Sequence, residues 1–118
     1  MTNWQEQAAE FAQKHNLSHN VSVYMLDLVS EVGEVAKEIL KATNYGANAA
    51  PLTPDKIPNT FAGELGDVLY SLCSLATSAG INLDEAFTQT IQKYEKRHQA
   101  SDTIDSQTKL RNGEIYEQ

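Results

Sequence analysis

The sequence is poor in cysteine and in positive charge, and both shortages limit what the protein can be. Cys73 is the one cysteine among 118 residues, and a single thiol cannot form an internal disulfide, which favours a reducing cytoplasm as the location. Lys and Arg number 9 against 16 Asp and Glu, for a formal net charge of −7. This balance argues against a protein that binds a nucleic acid polymer by neutralising phosphates over a broad surface.

Long apolar runs are also missing. No stretch approaches the roughly 18 to 20 uninterrupted apolar residues of a membrane span, so no membrane association is expected. No apolar segment of the kind found in a signal peptide follows Trp4. The length of 118 residues and the hydrophobic fraction of 41% predict a soluble domain that buries a core without disulfides.

Proline is confined to one segment, 47–58, which holds Pro51, Pro54 and Pro58 and therefore predicts a connection between helices. Apolar residues recur at three- and four-residue steps on both sides of it, as they do in amphipathic helices. The pattern predicts no strand and four helices, at about 2–14, 21–43, 58–79 and from Asn82 onward, where Asn82 and Glu85 have the spacing of a capping box. The predicted fold class is an all-α four-helix bundle.

The last part of the sequence has few apolar residues. Ser, Thr, Asp and Gln dominate from Ser101 onward, and such a composition buries too little apolar surface to fold by itself. We therefore predict a domain at 1–100 and a tail at 101–118 that is extended or poorly ordered.

The third predicted helix carries no charged residue from Val68 through Leu83. Its one side is apolar and the opposite side is small and mildly polar, and a helix with no charged side is usually buried all round. In a bundle of four helices we expect this burial to need another copy of the chain. The alternative is a central helix shielded by its own chain. The pattern thus predicts a homo-oligomer that associates through helix faces.

Two acidic pairs of the same form lie in the second and third predicted helices: Glu31-Val-Gly-Glu34 and Glu64-Leu-Gly-Asp67. On a helical wheel both pairs border the apolar stripe. Each pair also contains a glycine, which is a poor helix former, and we interpret these glycines as allowing the two helices to approach closely. The four carboxylates would then converge. The alternative is a solvated acidic stripe on each helix.

Four converging carboxylates need a cation, and oxygen-only ligands favour Mg²⁺, Mn²⁺ or Ca²⁺ over zinc or copper. A di-iron site of the ferritin type requires Glu-x-x-His on two helices. None of the histidines (His15, His19 and His98) lies three residues after a glutamate of the second or third helix. An EF-hand loop is absent as well. The residues predict a magnesium site, with Mn²⁺ as the second choice.

The acidic pairs resemble the signature of the MazG-like all-α nucleoside triphosphate pyrophosphatases, which include the dCTP pyrophosphatases. The resemblance extends over roughly 21–98 and rests on ordered blocks at 28–35, 64–72, 80–86 and 93–98. It implies Mg²⁺-dependent cleavage of a (d)NTP to a (d)NMP and pyrophosphate, as in the house-cleaning of canonical or modified dNTPs. It also implies a homodimer, or a homotetramer built as a dimer of dimers.

The resemblance further implies that Glu31, Glu34, Glu64 and Asp67 hold the metal against the triphosphate. One of these carboxylates, or Glu38 just outside the set, would accept the proton of the attacking water.

Three more residues are candidates for binding the nucleotide. Lys93 and Arg97 lie four residues apart on the fourth helix, so they share a face and can reach phosphates together. Alternatively, Lys93 and Arg97 are solvated charges near a helix end, where the helix dipole favours them. His19, just before the second helix, is a candidate for a position near the base. Aromatic residues are the candidates for base stacking: Trp4, Tyr24, Tyr45 and Tyr70, of which Tyr24 lies on the core stripe.

Two other interpretations compete with the one above. The chain would be a non-catalytic helical, oligomeric module that binds a protein partner, but such a module has no reason to keep all four acids. A phosphoribosyl-ATP pyrophosphatase shares a related fold, yet the residues around Glu31 are closer to the dCTP type.

Overall fold

The structure, a computed structural model, describes residues 3–48 and 50–111 of the chain. These residues form four α-helices and a short 3-10 turn, and no strand is found among them. In chain order they are α1 (Trp4–Lys14), α2 (Val21–Ala42), the 3-10 turn (Pro54–Lys56), α3 (Phe61–Ser78) and α4 (Leu83–Arg111). The predicted all-α fold is confirmed.

Asparagine caps start the first two helices. The Asn3 side chain accepts a hydrogen bond from the Glu6 N–H at 2.8 Å, and the Asn20 side chain accepts one from the Val23 N–H at 2.9 Å. Each bond satisfies a backbone donor that the first helical turn leaves without a partner. The beginnings of α1 and α2 are therefore fixed by local sequence.

Backbone conformation ends α2 where the sequence predicted a stop. Asn44, Tyr45 and Gly46 all have positive φ, at 50°, 57° and 84°. This left-handed region does not continue a right-handed helix and is easiest for glycine. The Tyr45 N–H bonds back to the Leu40 carbonyl at 2.6 Å, which closes the last turn.

Helix α3 begins at Phe61, three residues later than predicted. Pro58 and Asn59 form a turn in which the Phe61 N–H donates to the Pro58 carbonyl at 3.0 Å, and Thr60 takes the N-cap position. The helix ends before Gly80, whose φ of 71° is again left-handed.

Helix α4 extends through Arg111, whereas the sequence predicted a tail from residue 101 that is extended or poorly ordered. The helix continues because no glycine or proline lies between Asn82 and Gly113 to stop it. Residues 112–118 of that tail lie outside the described residues, and a domain boundary at residue 100 stays a prediction.

The described residues fall into two compact units that divide between Asn82 and Leu83. In the first unit, α1 and α2 both pack against α3. Its buried side chains are small except for that of Tyr24: Ala8, Tyr24, Ser71, Cys73, Ser74 and Ala76. The second unit contains α4.

The buried residues of α3 come from both of its predicted sides. Cys73 and Ser74 belong to the small, mildly polar side and Ala76 to the apolar side, and Ser71 is buried with them. Their short side chains let the helices approach closely. Leu72 of the apolar side is 38% exposed.

None of the helices within the described ranges has both the length and the apolar character that crossing a membrane requires.

Candidate metal centre

Carboxylates from α2 and α3 meet where these two helices pack together. Glu31 on α2 and Glu64 and Asp67 on α3 each present an oxygen, and these oxygens all lie within 4.8 Å of one another. Glu31 and Glu64 are half-buried, whereas Asp67 is exposed. The sequence placed these three residues in one site, and the structure brings them together.

Glu34, the fourth predicted ligand, lies outside this group of three. Its side chain is exposed. Its charge nevertheless raises the pKa of Glu64 more than the charge of any other neighbouring carboxylate does. Glu34 therefore lies at the edge of the cluster, close enough for its charge to act on the cluster.

Burial and the charges of four neighbouring carboxylates raise the pKa of Glu64 above its ordinary value. Partial desolvation makes the largest contribution, followed by Glu34, Asp67, Glu31 and Glu38. Among residues 3–48 and 50–82 of the first unit, no Lys or Arg forms an ion pair with any of the five acids. The cluster thus carries a concentration of negative charge that this part of the protein does not neutralise.

Glu38 differs from the other four acids because the protein itself holds it. The Thr60 hydroxyl donates a hydrogen bond to Glu38 Oε2 at 3.2 Å. The contact was not predicted from the sequence, because α3 was expected to begin at Pro58 and Thr60 would then be an interior residue. A threonine directly before the apolar Phe61 is a signal for a helix start and could have corrected the boundary.

The glycines of the two acidic pairs do not act as predicted. A Cβ atom built on Gly33 or on Gly66 meets no atom within 4 Å. Close approach of α2 and α3 within the chain therefore does not depend on these glycines. The small residues on the buried side of α3 account for that approach instead.

The donor set fits a hard divalent cation. Mg²⁺ binds oxygen ligands at about 2.0–2.1 Å, so opposite ligands of its octahedron lie about 4.2 Å apart. The three carboxylate oxygens lie within 4.8 Å of one another, close to this largest separation between two ligands of one ion, so the donor set fits such a cation. Mn²⁺ and Ca²⁺ accept the same oxygen donors.

Lys93 and Arg97 lie on α4, in the second unit. The Lys93 ammonium and the Arg97 guanidinium lie 5.7 Å and 5.9 Å from the centre of the Tyr94 ring, within the range of a cation–π contact. The two cations therefore share one face of the helix, as their spacing predicted.

His19 lies just before α2, in the first unit. Its ring is 5.5 Å from that of Tyr24, and its backbone carbonyl accepts a hydrogen bond from the Ser78 hydroxyl at 3.4 Å. Tyr24 is buried, which agrees with a packing role.

The other three stacking candidates differ in exposure. Trp4 and Tyr45 are 69% and 73% exposed. Tyr70 is half-buried and makes an edge-to-face contact with Phe11 at 6.0 Å.

Comparison with known proteins identifies the class to which this helical chain and its acidic cluster belong. The family model of the MazG nucleotide pyrophosphohydrolase domain matches residues 19–101, which is more than half of the chain. The chain belongs to the MazG nucleotide pyrophosphohydrolase family. The matched region contains all five acids of the cluster, and the resemblance found in the sequence is confirmed.

Two similar proteins define the relationship more closely. The uncharacterized protein YpjD of Bacillus subtilis strain 168 is 36% identical over 73 residues, which cover 62% of this chain and 62% of that protein. The match thus spans less than two thirds of that relative. The crystal structure of iMazG from Vibrio DAT 722 matches with a TM-score of 0.52 and 25% identity, covering 83% of this chain and 97% of the iMazG chain.

Proposed function

We propose that the protein is a Mg²⁺-dependent nucleoside triphosphate pyrophosphohydrolase, with Mn²⁺ able to replace Mg²⁺. It converts a (d)NTP to the (d)NMP and pyrophosphate, and its substrates are canonical or modified dNTPs removed from the nucleotide pool. The observation that carries this proposal is the meeting of Glu31, Glu64 and Asp67 between α2 and α3, inside the region that matches the family.

The first task of the carboxylates in this reaction is to hold the cation. Glu31, Glu64 and Asp67 would hold the cation, with Glu34 at the edge of the cluster as the fourth ligand. When bound, the cation neutralises phosphate oxygens and makes a water molecule more acidic. Glu31, Glu34, Glu64 and Asp67 have no ion-pair partner among the described residues, so their oxygens are available for a cation.

Proton transfer is assigned to Glu38. A water oxygen attacks phosphorus at the α–β phosphate bridge, and the bond from that phosphorus to the bridging oxygen breaks. One water is consumed, and the products are the monophosphate and pyrophosphate. Glu38 takes up the proton released by the water. It lies outside the group of three but close enough for its charge to act on Glu64.

Lys93, Arg97 and His19 are assigned to the nucleotide itself. Two cations four residues apart on one helix face suit the phosphate tail, where they neutralise charge that increases in the transition state. His19 contributes to the base site. No nucleic acid polymer and no membrane take part in this function, which is cytoplasmic.

We also propose that the chain works as a homodimer or as a dimer of dimers. One face of α2 carries large apolar residues that the chain leaves open: Met25, Leu26, Val29, Val32 and Leu40, between 46% and 70% exposed. An apolar surface of this kind is typical of a protein–protein interface. A second copy of the chain is the partner that the sequence pattern of α3 also favours.

A substrate panel tests the proposed activity. The wild-type chain is incubated with the common NTPs and dNTPs and Mg²⁺, and pyrophosphate and orthophosphate are measured separately. We expect pyrophosphate as the primary product, and little of it from Asp67→Asn. Glu10→Gln removes an exposed acid of α1 outside the cluster and should behave like wild type. Orthophosphate as the primary product, or full activity in Asp67→Asn, would refute the proposal.

A further inference from the structure

Thr60 occupies a helix start but does not cap the helix. It is the N-cap residue of α3, and its side chain makes no capping hydrogen bond. The residues at the same position of α1 and α2, Asn3 and Asn20, both accept a bond from a backbone N–H. In α3 the hydroxyl donates instead to Glu38 Oε2, at 3.2 Å. The ordinary use of an N-cap threonine is therefore replaced by a contact between α3 and α2.

This contact separates Glu38 from the other acids of the cluster. Within the described ranges, the side chains of Glu31, Glu34, Glu64 and Asp67 have no hydrogen-bond or ion-pair partner. Carboxylates of this kind are free to turn toward a cation. Glu38 has one oxygen occupied by a hydroxyl, and it does not belong to the group that lies within 4.8 Å.

The amino end of α3 adds a second reason for Glu38 to stay where it is. The first N–H groups of a helix and the positive end of its dipole favour an anion nearby. Since Glu38 bonds to the N-cap residue, its carboxylate lies at this end of the helix. The hydroxyl and the helix terminus thus both hold Glu38 beside the cation site.

We infer that Thr60 is a positioning residue, which holds Glu38 as a fixed carboxylate next to the cation ligands and outside their set. The inference rests on the proposed function, in which Glu38 receives the proton of the attacking water. Thr60 itself touches neither cation nor substrate. Its hydroxyl orients Glu38, so that one carboxylate oxygen is held and the other is available to the water.

Two substitutions at Thr60 separate the hydroxyl from the shape of the side chain. Thr60→Val keeps the branched shape and loses the donor, whereas Thr60→Ser keeps the donor. Partners that orient the groups of a metal site typically contribute 10- to 100-fold to affinity or activity. We expect a kcat lower by roughly 10-fold or more for Thr60→Val, with KM and Mn²⁺ affinity by calorimetry within about twofold of wild type, and near-normal kcat for Thr60→Ser.

A matched control and a double variant complete the experiment. Thr53→Val removes a hydroxyl that bonds to Asp55 in the connection before α3 and should leave kcat unchanged. If Thr60 acts through Glu38, Thr60→Val added to Glu38→Gln lowers kcat no further. Three results would overturn the role of Thr60 and leave the proposed function standing. They are an equal kcat for Thr60→Val and wild type, equal losses for Thr60→Val and Thr60→Ser, and a Mn²⁺ affinity that falls in parallel with kcat. A wild-type chain that releases no pyrophosphate overturns the proposed function, and the role of Thr60 with it.

Discussion

Glu31 on α2 and Glu64 on α3 present carboxylate oxygens within 4.8 Å of each other, across the contact between the two helices. Charges of the same sign at this distance repel, and neither acid has a cationic partner among the described residues. The packing of α2 on α3 therefore holds together groups that would separate in solution. Such an arrangement is unfavourable without a cation and favourable with one.

Replacement of the charged Glu64 by a neutral glutamine should stabilise the metal-free protein. Because the folded-state pKa of Glu64 lies above its ordinary value of 4.5, the folded chain binds that proton more tightly than the unfolded chain. The stabilising contribution of the proton is fully present below pH 4.5 and is lost as the pH rises through the raised pKa. We expect Glu64→Gln in EDTA to melt at a higher temperature than wild type at pH 7, with no such advantage at pH 4.

Thermal melts at the two pH values check this expectation. Glu10→Gln, which removes an exposed acid outside the cluster, should shift the melting temperature little at either pH. A lower melting temperature for Glu64→Gln than for wild type at pH 7 would contradict the charge repulsion described above.

Addition of a divalent cation should stabilise the wild-type protein more than a variant that lacks one of the ligands. A ligand at 100 times its Kd stabilises the folded state by about 2.7 kcal/mol. We expect Mg²⁺ or Mn²⁺ to raise the melting temperature of wild type in EDTA-treated samples, and to raise that of Asp67→Asn much less. Differential scanning calorimetry with KCl at matched ionic strength is the control for salt effects. Equal shifts in both proteins would remove Asp67 from the ligand set.

The buried thiol gives a test of the packing of α3. Burial raises the pKa of Cys73, and the side chain is 2% exposed against α1 and α2. Because the thiolate is the reactive form, we expect iodoacetamide at pH 8 to label the folded chain more than about tenfold more slowly than the chain in urea. Mass spectrometry follows the reaction. Equal rates in the two states would mean that this side of α3 is open.

The caps of α2 and α3 should differ in their effect on stability. Asn20→Ala removes a side chain that accepts the Val23 N–H at 2.9 Å, and loss of such a cap costs about 1 kcal/mol. Thr60→Val removes no capping bond and should cost less than half of that. Urea unfolding measures both. A loss of similar size in the two variants would show that Thr60 serves the helix rather than Glu38.

The open apolar face of α2 predicts association of the chain. Val29 is 57% exposed on this face, and a charge placed there should weaken an apolar interface. We expect Val29→Asp to have a lower mass than wild type in analytical ultracentrifugation. Gln13→Asp places the same charge on an exposed position of α1 and should keep the wild-type mass. A monomeric wild-type chain would exclude an oligomer.

The sequence predicted the helices and the meeting of the acids because both depend on local patterns. Three-residue spacing within each helix places Glu64 beside Asp67, and the repeated acid-x-Gly-acid form linked this pair to Glu31. The reason assigned to the glycines was wrong, since Gly33 and Gly66 face open space. Which side of α3 is buried depends on the shapes of α1 and α2, and helical periodicity alone does not contain that information.

The contact between Thr60 and Glu38 was beyond the reach of sequence patterns for a similar reason. It depends on where α3 begins after the 3-10 turn and on how α3 crosses α2. Neither feature follows from residue spacing. The fold class and the three clustered acids were predicted from local sequence patterns. The hydrogen bond that holds Glu38 is visible only in the packed structure.

The most direct test of the central claim is a ³¹P NMR spectrum of a dNTP incubated with the protein and Mg²⁺. We predict that the three phosphate resonances are replaced by those of the monophosphate and pyrophosphate, that EDTA stops the reaction, and that Glu31→Gln gives at least roughly 100-fold less product. Resonances of orthophosphate and the nucleoside diphosphate, or an unchanged rate in EDTA, would contradict the account.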